Sequence, residues 1–187
     1  MMANCCAPAP ARAAARAKVG ARLVCAAQVD YFAYGSNVNT NTFARVRGIR
    51  ASQARPCYLD GWSLEFSVPG LPLVEPAYAT VVRAPGGRVH GVCYTVSDEQ
   101  WERVLASEGG GSPFGYRPQE VTLTSYGGEE VAARTLVVPG ALRTPGLQPS
   151  ERYYRIITEG ALEWNLDPEW QAWLDKEVIP YAPVTDL

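Results

Sequence analysis

Tyr31-Phe32-Ala33-Tyr34-Gly35-Ser36-Asn37 decides how the rest of this chain is read. Aromatic and apolar residues run into Gly-Ser-Asn, and polar residues follow through Thr42. Aromatic side chains fit a pleated, half-buried surface, so the first part reads as a short buried strand. Gly35 ends it, because a residue without Cβ lets the backbone turn sharply and lets another group come close. Ser36 or Asn37 is then placed to cap a helix beginning near Val38. A strand, a tight turn and a helix start leave several backbone N–H groups without partners. Such a concavity suits a carboxylate or a developing oxyanion. The plain alternative is a strand-to-helix turn that binds nothing.

The 187 residues suffice for one domain with its own core. A net charge of -2 points away from a nucleic-acid partner. No stretch approaches the roughly 18 unbroken apolar residues of a membrane-spanning helix, so no membrane partner is expected. Of the five cysteines only Cys5 and Cys6 are close in sequence. Cys57 and Cys93 lie in apolar runs and read as buried free thiols. With His90 as the single histidine, neither a zinc site nor a histidine-based triad is expected. Residues 1–28 are rich in Ala, carry Arg12, Arg16, Lys18 and Arg22, and precede the first acidic residue, Asp30. That pattern matches a disordered organelle transit segment, which would send the protein to a plastid; without such an address the chain is cytoplasmic. Residues 29–187 are then the folded domain.

Along that domain, Asp60-Gly61 reads as a hairpin turn between Cys57-Tyr58-Leu59 and Trp62–Phe66. The Pro-rich run 69–76 reads as a loop, and Pro85-Gly86-Gly87 as a turn joining strands 78–82 and 88–96. Ser97-Asp98-Glu99-Gln100 is a capping box, and the helix it opens ends at Glu108, before Gly109-Gly110-Gly111-Ser112-Pro113. Residues 116–126 and 131–138 alternate as strands around Gly127-Gly128. Ser150 opens a helix running to Gly160, and a last helix spans about 168–178. Many strands, few helices and no regular alternation between them predict an α+β fold. Its expected form is a small mixed, mostly antiparallel β-barrel with flanking α-helices. Val81, Val92, Tyr94, Val121 and Val137 are its expected core, and the strand ending at Tyr34 is expected to pair centrally.

Glu108 stands at a helix end, where the dipole does not favour a carboxylate. Apolar neighbours would raise its pKa and fit it for proton exchange near neutral pH. The alternative is an ordinary solvated glutamate. His90, in a strand pattern, reads as structural.

YFAYGSN, HGVCYTV, Leu105-Ala106-Ser107-Glu108-Gly109 with Gly115-Tyr116, and Pro149-Ser150-Glu151-Arg152-Tyr153 occur in an order that resembles the gamma-glutamylcyclotransferase family. The likeness runs from about Asp30 to Trp173. The glutathione-degrading branch usually has leucine where this chain has Asn37, so the likeness is to the branch that includes avirulence-induced-gene-like proteins. It implies a small barrel and a cofactor-independent cyclisation. A small-molecule γ-glutamyl substrate would yield 5-oxoproline and a released amine or amino acid. It implies Glu108 as general acid and base, with Tyr34, Gly35, Ser36, Asn37, Tyr116 and Tyr153 holding substrate and no metal. A non-catalytic binding or regulatory protein on the same barrel is the other reading.

Residues before Gln28 lack apolar periodicity, so their deletion is expected to leave the melting temperature unchanged. A drop of several degrees would make them part of the fold.

Overall fold

The computed structural model describes residues 27–109, 112–113 and 115–182. Nearly all of the segment read as a transit peptide lies outside these residues. Five strands close into a barrel: β1 (Gln28–Ala33), β2 (Gln53–Leu71), β3 (Glu75–Ser97), β4 (Arg117–Ser125) and β5 (Glu130–Val137). Their order is β1-β3-β2-β4-β5. β5 meets β1 in parallel, with Tyr31 opposite Arg134, while the other pairings are antiparallel. Three helices flank the barrel: α1 (Asp98–Ser107), α2 (Glu151–Glu163) and α3 (Pro168–Glu177). This is the mixed barrel expected from the sequence, with β1 held centrally between β3 and β5.

The turns inside the barrel are not where the sequence put them. Asp60-Gly61 is no hairpin: β2 runs straight through it. Pro85-Gly86-Gly87 likewise lies within continuous β3. The two sites face each other, since the register jumps from Asp60↔Arg88 to Trp62↔Arg83. Gly61 and Gly86 have φ of 77° and 80°, the left-handed values that make Asp-Gly a bulge signal as much as a turn signal. The true hairpin is at Pro72–Val74, inside the expected loop, with Leu71 paired to Glu75. Paired bulges bend a two-stranded ribbon. Here the outer half returns over the end of β5, where the Thr80 hydroxyl accepts the Val138 amide at 3.0 Å.

Val81, Val92, Tyr94 and Val121 are buried as expected, whereas Val137 is only partly covered and its neighbours Leu136 and Val138 are buried instead. β-Alternation explains the shift by one residue. Cys57 and Cys93 are buried free thiols. His90 Nδ1 lies 2.6 Å from the Tyr126 hydroxyl, which also accepts the Asp167 amide at 2.8 Å. Through that phenol, His90 ties β3 to the start of α3. Burial lowers its pKa.

The Ser97–Gln100 capping box forms as read, with both reciprocal bonds present. α2 is capped by Ser150, whose Oγ accepts the Tyr153 amide, and it runs past Gly160 to Glu163. Gly160 explains why. A Cβ there would stand 2.6 Å from the Asn39 nitrogen and 2.9 Å from the Val38 carbonyl carbon. The glycine is no terminator but the flat place where the turn after β1 rests on the helix. Glu75 fixes the same helix from its other end: its carboxylate accepts the Ser150 amide at 3.0 Å and the Ser150 hydroxyl at 2.6 Å.

Gly160→Ala is expected to destabilise the fold by about 1–3 kcal/mol, the usual cost of overpacking, in urea unfolding. Gly127→Ala, whose Cβ meets nothing nearer than 3.5 Å, is the control and should stay within about 0.5 kcal/mol.

Candidate active site

The chain leaves β1 at Tyr34 and turns at Gly35 into a single 3₁₀ turn, Ser36–Val38. Neither Ser36 nor Asn37 caps it. The capping asparagine is Asn39, whose Oδ1 accepts the Thr42 amide at 3.0 Å and opens a π-helical turn over Thr42–Val46. The helix expected near Val38 is therefore short, wide and displaced. Phe43 anchors it by stacking on Tyr94 at 4.1 Å between centroids. The wide turn closes with the Arg47 amide on the Thr42 carbonyl and sets Arg47 at its exit. π-Turns inside helices are rare and concentrate at functional sites.

Freed from capping, the Asn37 side chain turns inward and is buried. Its Nδ2 donates to the Tyr31 hydroxyl at 2.9 Å and to Glu108 Oε1 at 3.3 Å, and its Oδ1 accepts from Arg47 Nε. Arg47 Nη1 donates to Ser107 Oγ at 2.5 Å, and Nη2 lies 2.5 Å from Glu108 Oε1. Glu108 follows the last residue of α1. Gly109 takes φ of 71°, and the Tyr116 amide returns to the Glu108 carbonyl at 3.3 Å. Gly115 permits that closure, since a Cβ there would stand 2.0 Å from the Gly109 carbonyl oxygen.

Tyr34, Gly35, Ser36, Asn37, Glu108, Tyr116 and Tyr153 all line one cavity, together with Tyr31, Ala79 and Leu136. All seven residues singled out in the sequence are thus brought together, from four separate parts of the chain. The cavity encloses about 30 Å³, room for about one water. Larger hollows lie elsewhere. One of about 620 Å³ is lined by the start of β1 and by Arg83, Glu120 and Arg134; another of about 830 Å³ runs beside α2. Neither gathers a carboxylate, several buried phenols and a tight backbone turn around one space, and convergent chemistry marks a site better than volume does.

The phenols are fixed by backbone. Tyr34 donates to the Leu136 carbonyl, Tyr116 donates to the Ala79 carbonyl at 2.5 Å, and Tyr153 accepts the Ala79 amide at 3.4 Å. Burial raises the pKa of Tyr31, Tyr34, Tyr116 and Tyr153, so all four stay protonated at neutral pH. Glu108 is also raised, by burial first; the Arg47 guanidinium and the Asn37 amide oppose that shift. Glu108 is the one carboxylate among the residues that line this cavity. Sequence reasoning missed Arg47 and Tyr31. Arg47 sits among other arginines in FARVRGIR and Tyr31 reads as a strand aromatic, so neither carried a signal of its own.

The sequence pattern of the family described as "Gamma-glutamyl cyclotransferase, AIG2-like" matches residues 31–161. The chain belongs to that family. It is 32% identical over 151 residues to Gamma-glutamyl cyclotransferase aclK of Aspergillus oryzae, covering 71% of this chain and 55% of that protein. It is 26% identical over 179 residues to Gamma-glutamyl cyclotransferase gliK of Aspergillus fumigatus, covering 84% of this chain and 64% of that one. The chain thus spans somewhat over half the length of these curated relatives. Among solved structures, the human uncharacterized protein loc79017 superposes with a TM-score of 0.73 at 25% identity, over 86% of this chain and 93% of that one. A structure described as a gamma-glutamyl cyclotransferase does so with the same TM-score at 24% identity, over 86% and 94%, a likeness of fold.

Asn37 joins Tyr31, Arg47 and Glu108, so Asn37→Leu keeps the branched shape and takes one hydrogen-bond partner from each of three polar groups. A loss of about 1–3 kcal/mol is expected in urea unfolding. A change below about 0.5 kcal/mol would mean the side chain holds nothing together.

Proposed function

We propose that this protein cyclises γ-glutamyl amides or γ-glutamyl-amino acids to 5-oxoproline and releases the amine or amino acid. The observation that carries the reading is the shared cavity. One half-buried carboxylate, Glu108, faces the Gly35–Asn37 turn across a space walled by neutral phenols. The names borne by the fungal relatives support the same reaction class.

The chemistry needs little more. The substrate's own α-amine attacks its γ-carbonyl carbon. A C–N bond forms, the original amide C–N bond breaks, and a five-membered ring results. Because nucleophile and electrophile belong to one molecule, folding the substrate into a near-attack shape supplies much of the acceleration. The α-ammonium must lose one proton before attack and a second once the new C–N bond has formed, and the leaving nitrogen must gain one to depart as the amine. The first proton is released to solvent; Glu108 takes the second from the attacking nitrogen and returns it to the leaving nitrogen, so no net proton is stored on the protein. Backbone N–H groups of residues 35–37 hold the substrate carboxylate or the oxyanion. Tyr34, Tyr116 and Tyr153 shape the walls and, as phenols that remain protonated, take no part as bases.

The acid limb of the rate follows from the direction of the Glu108 shift. A base works only when ionised, and burial raises the Glu108 pKa. Activity should therefore appear as pH rises through a value above that of an ordinary glutamate. Glu108→Gln keeps the shape and cannot take a proton. Turnover should fall by about 100-fold or more with binding largely kept, assayed as 5-oxoproline release from γ-glutamylamines, γ-glutamyl-amino acids and glutathione. No turnover of any of them by the unaltered protein, with retained binding, would favour the non-catalytic reading. An active Glu108→Gln variant would remove Glu108 from the chemistry.

A further inference from the structure

Resting on that reading, we propose that Arg47 is the positioning residue of the site. Its guanidinium fixes Oε1 of Glu108, so that Oε2 is the oxygen that carries the proton. Arg47 is spent on three partners at once: Nε on Asn37 Oδ1, Nη1 on Ser107 Oγ, and Nη2 on Glu108 Oε1. Asn37 Nδ2 reaches the same oxygen, at 3.3 Å. Both of these bonds fall on Oε1, and Oε2 carries neither of them. A carboxylate held this way cannot rotate to offer either oxygen at will. The oxygen engaged by a guanidinium is also the weaker base of the two, since a neighbouring positive charge disfavours adding a proton. The division of labour is therefore built into one side chain.

The planar fork matters as much as the charge. Five N–H donors in a rigid plane let one guanidinium span residues from two segments, the 3₁₀ turn after β1 and the end of α1. Lysine, a flexible point charge, can reach Glu108 or Asn37 but cannot reproduce the plane. Both side chains are well covered, Arg47 16% and Glu108 19% exposed, so water screens the pair poorly. The groups that face Glu108 from the surrounding elements are Tyr31 and Tyr34 of the β1 end, Tyr116 ahead of β4, Tyr153 of α2 and Arg47. The tyrosines stay neutral, so among the described residues Arg47 supplies the only positive charge in contact with the carboxylate.

The test uses the full chain and two variants, with folding checked by melting temperature. The carboxyl carbon of Glu108 is followed by ¹³C NMR over pH, its signal assigned with Glu108→Gln. Arg47→Met should move the Glu108 titration to higher pH, because burial is then opposed by the Asn37 amide alone. The acid limb of kcat/KM should move with it, and each pKa unit moved costs about tenfold in rate below the pKa. kcat should fall by more than KM changes. Arg47→Lys keeps the charge, so its titration should stay near that of the unaltered protein while kcat still falls, because the fork is lost. A folded Arg47→Met variant whose Glu108 titrates unchanged would overturn the proposal. So would an Arg47→Lys variant with unaltered kcat, and that arm stands if the Met variant does not fold. If the unaltered protein turns over no γ-glutamyl compound, the proposed reaction fails, but the titration still decides whether Arg47 controls Glu108.

Discussion

A carboxylate taken largely out of water is the constraint on which this structure turns. Burial raises the pKa of Glu108, and the protein answers with one guanidinium and one amide aimed at the same oxygen. Each of those partners then needs a scaffold. The amide comes from Asn37, which is why its side chain abandons the cap of its own turn. The guanidinium comes from Arg47, delivered by a π-turn wider than an α-helix would allow. The turn needs Phe43 against Tyr94 to hold it, and the strand end needs Gly160 to rest against. Local departures from regular structure thus cluster around a single charge. Strain and irregularity gather at functional sites for this reason.

Much of the fold was legible. Barrel, flanking helices, capping box and central β1 all follow from alternation and from helix-start chemistry, which are local signals. The errors share one cause. Asp60-Gly61 and Pro85-Gly86-Gly87 supply backbone with positive φ, which serves a turn or a bulge alike. Only the pairing partner decides between them, and that partner lies 21 to 28 residues away in the chain. Gly160 misled in the same way: it reads as a helix end and is a contact surface.

The site was legible in part. Family likeness brought Tyr34, Gly35, Ser36, Asn37, Glu108, Tyr116 and Tyr153 together on paper, and they line one cavity. What sequence could not show was the bonding among them. Asn37 reads as a helix cap or a backbone donor, yet its side chain makes the connections. Arg47 is one of four arginines between residues 45 and 55. Its neighbours Arg45 and Arg50 are exposed, and nothing in the spacing separates it from them.

The threading of β1 has a consequence for how the molecule comes into being. This strand lies between β3 and β5, and Tyr34 donates to the Leu136 carbonyl and Thr135 to the Phe32 carbonyl, each across more than a hundred residues of chain. Tyr153, further on still, completes the cavity wall. During synthesis the Tyr31–Asn37 segment therefore emerges long before its strand partners β3 and β5 exist, an aromatic strand with both edges unpaired. Loop-closure entropy must be overcome before these distant contacts reward it, so closure of the barrel is expected to be slow and late. Until then the strand is the part of the nascent chain with most to gain from a chaperone and most to lose to aggregation.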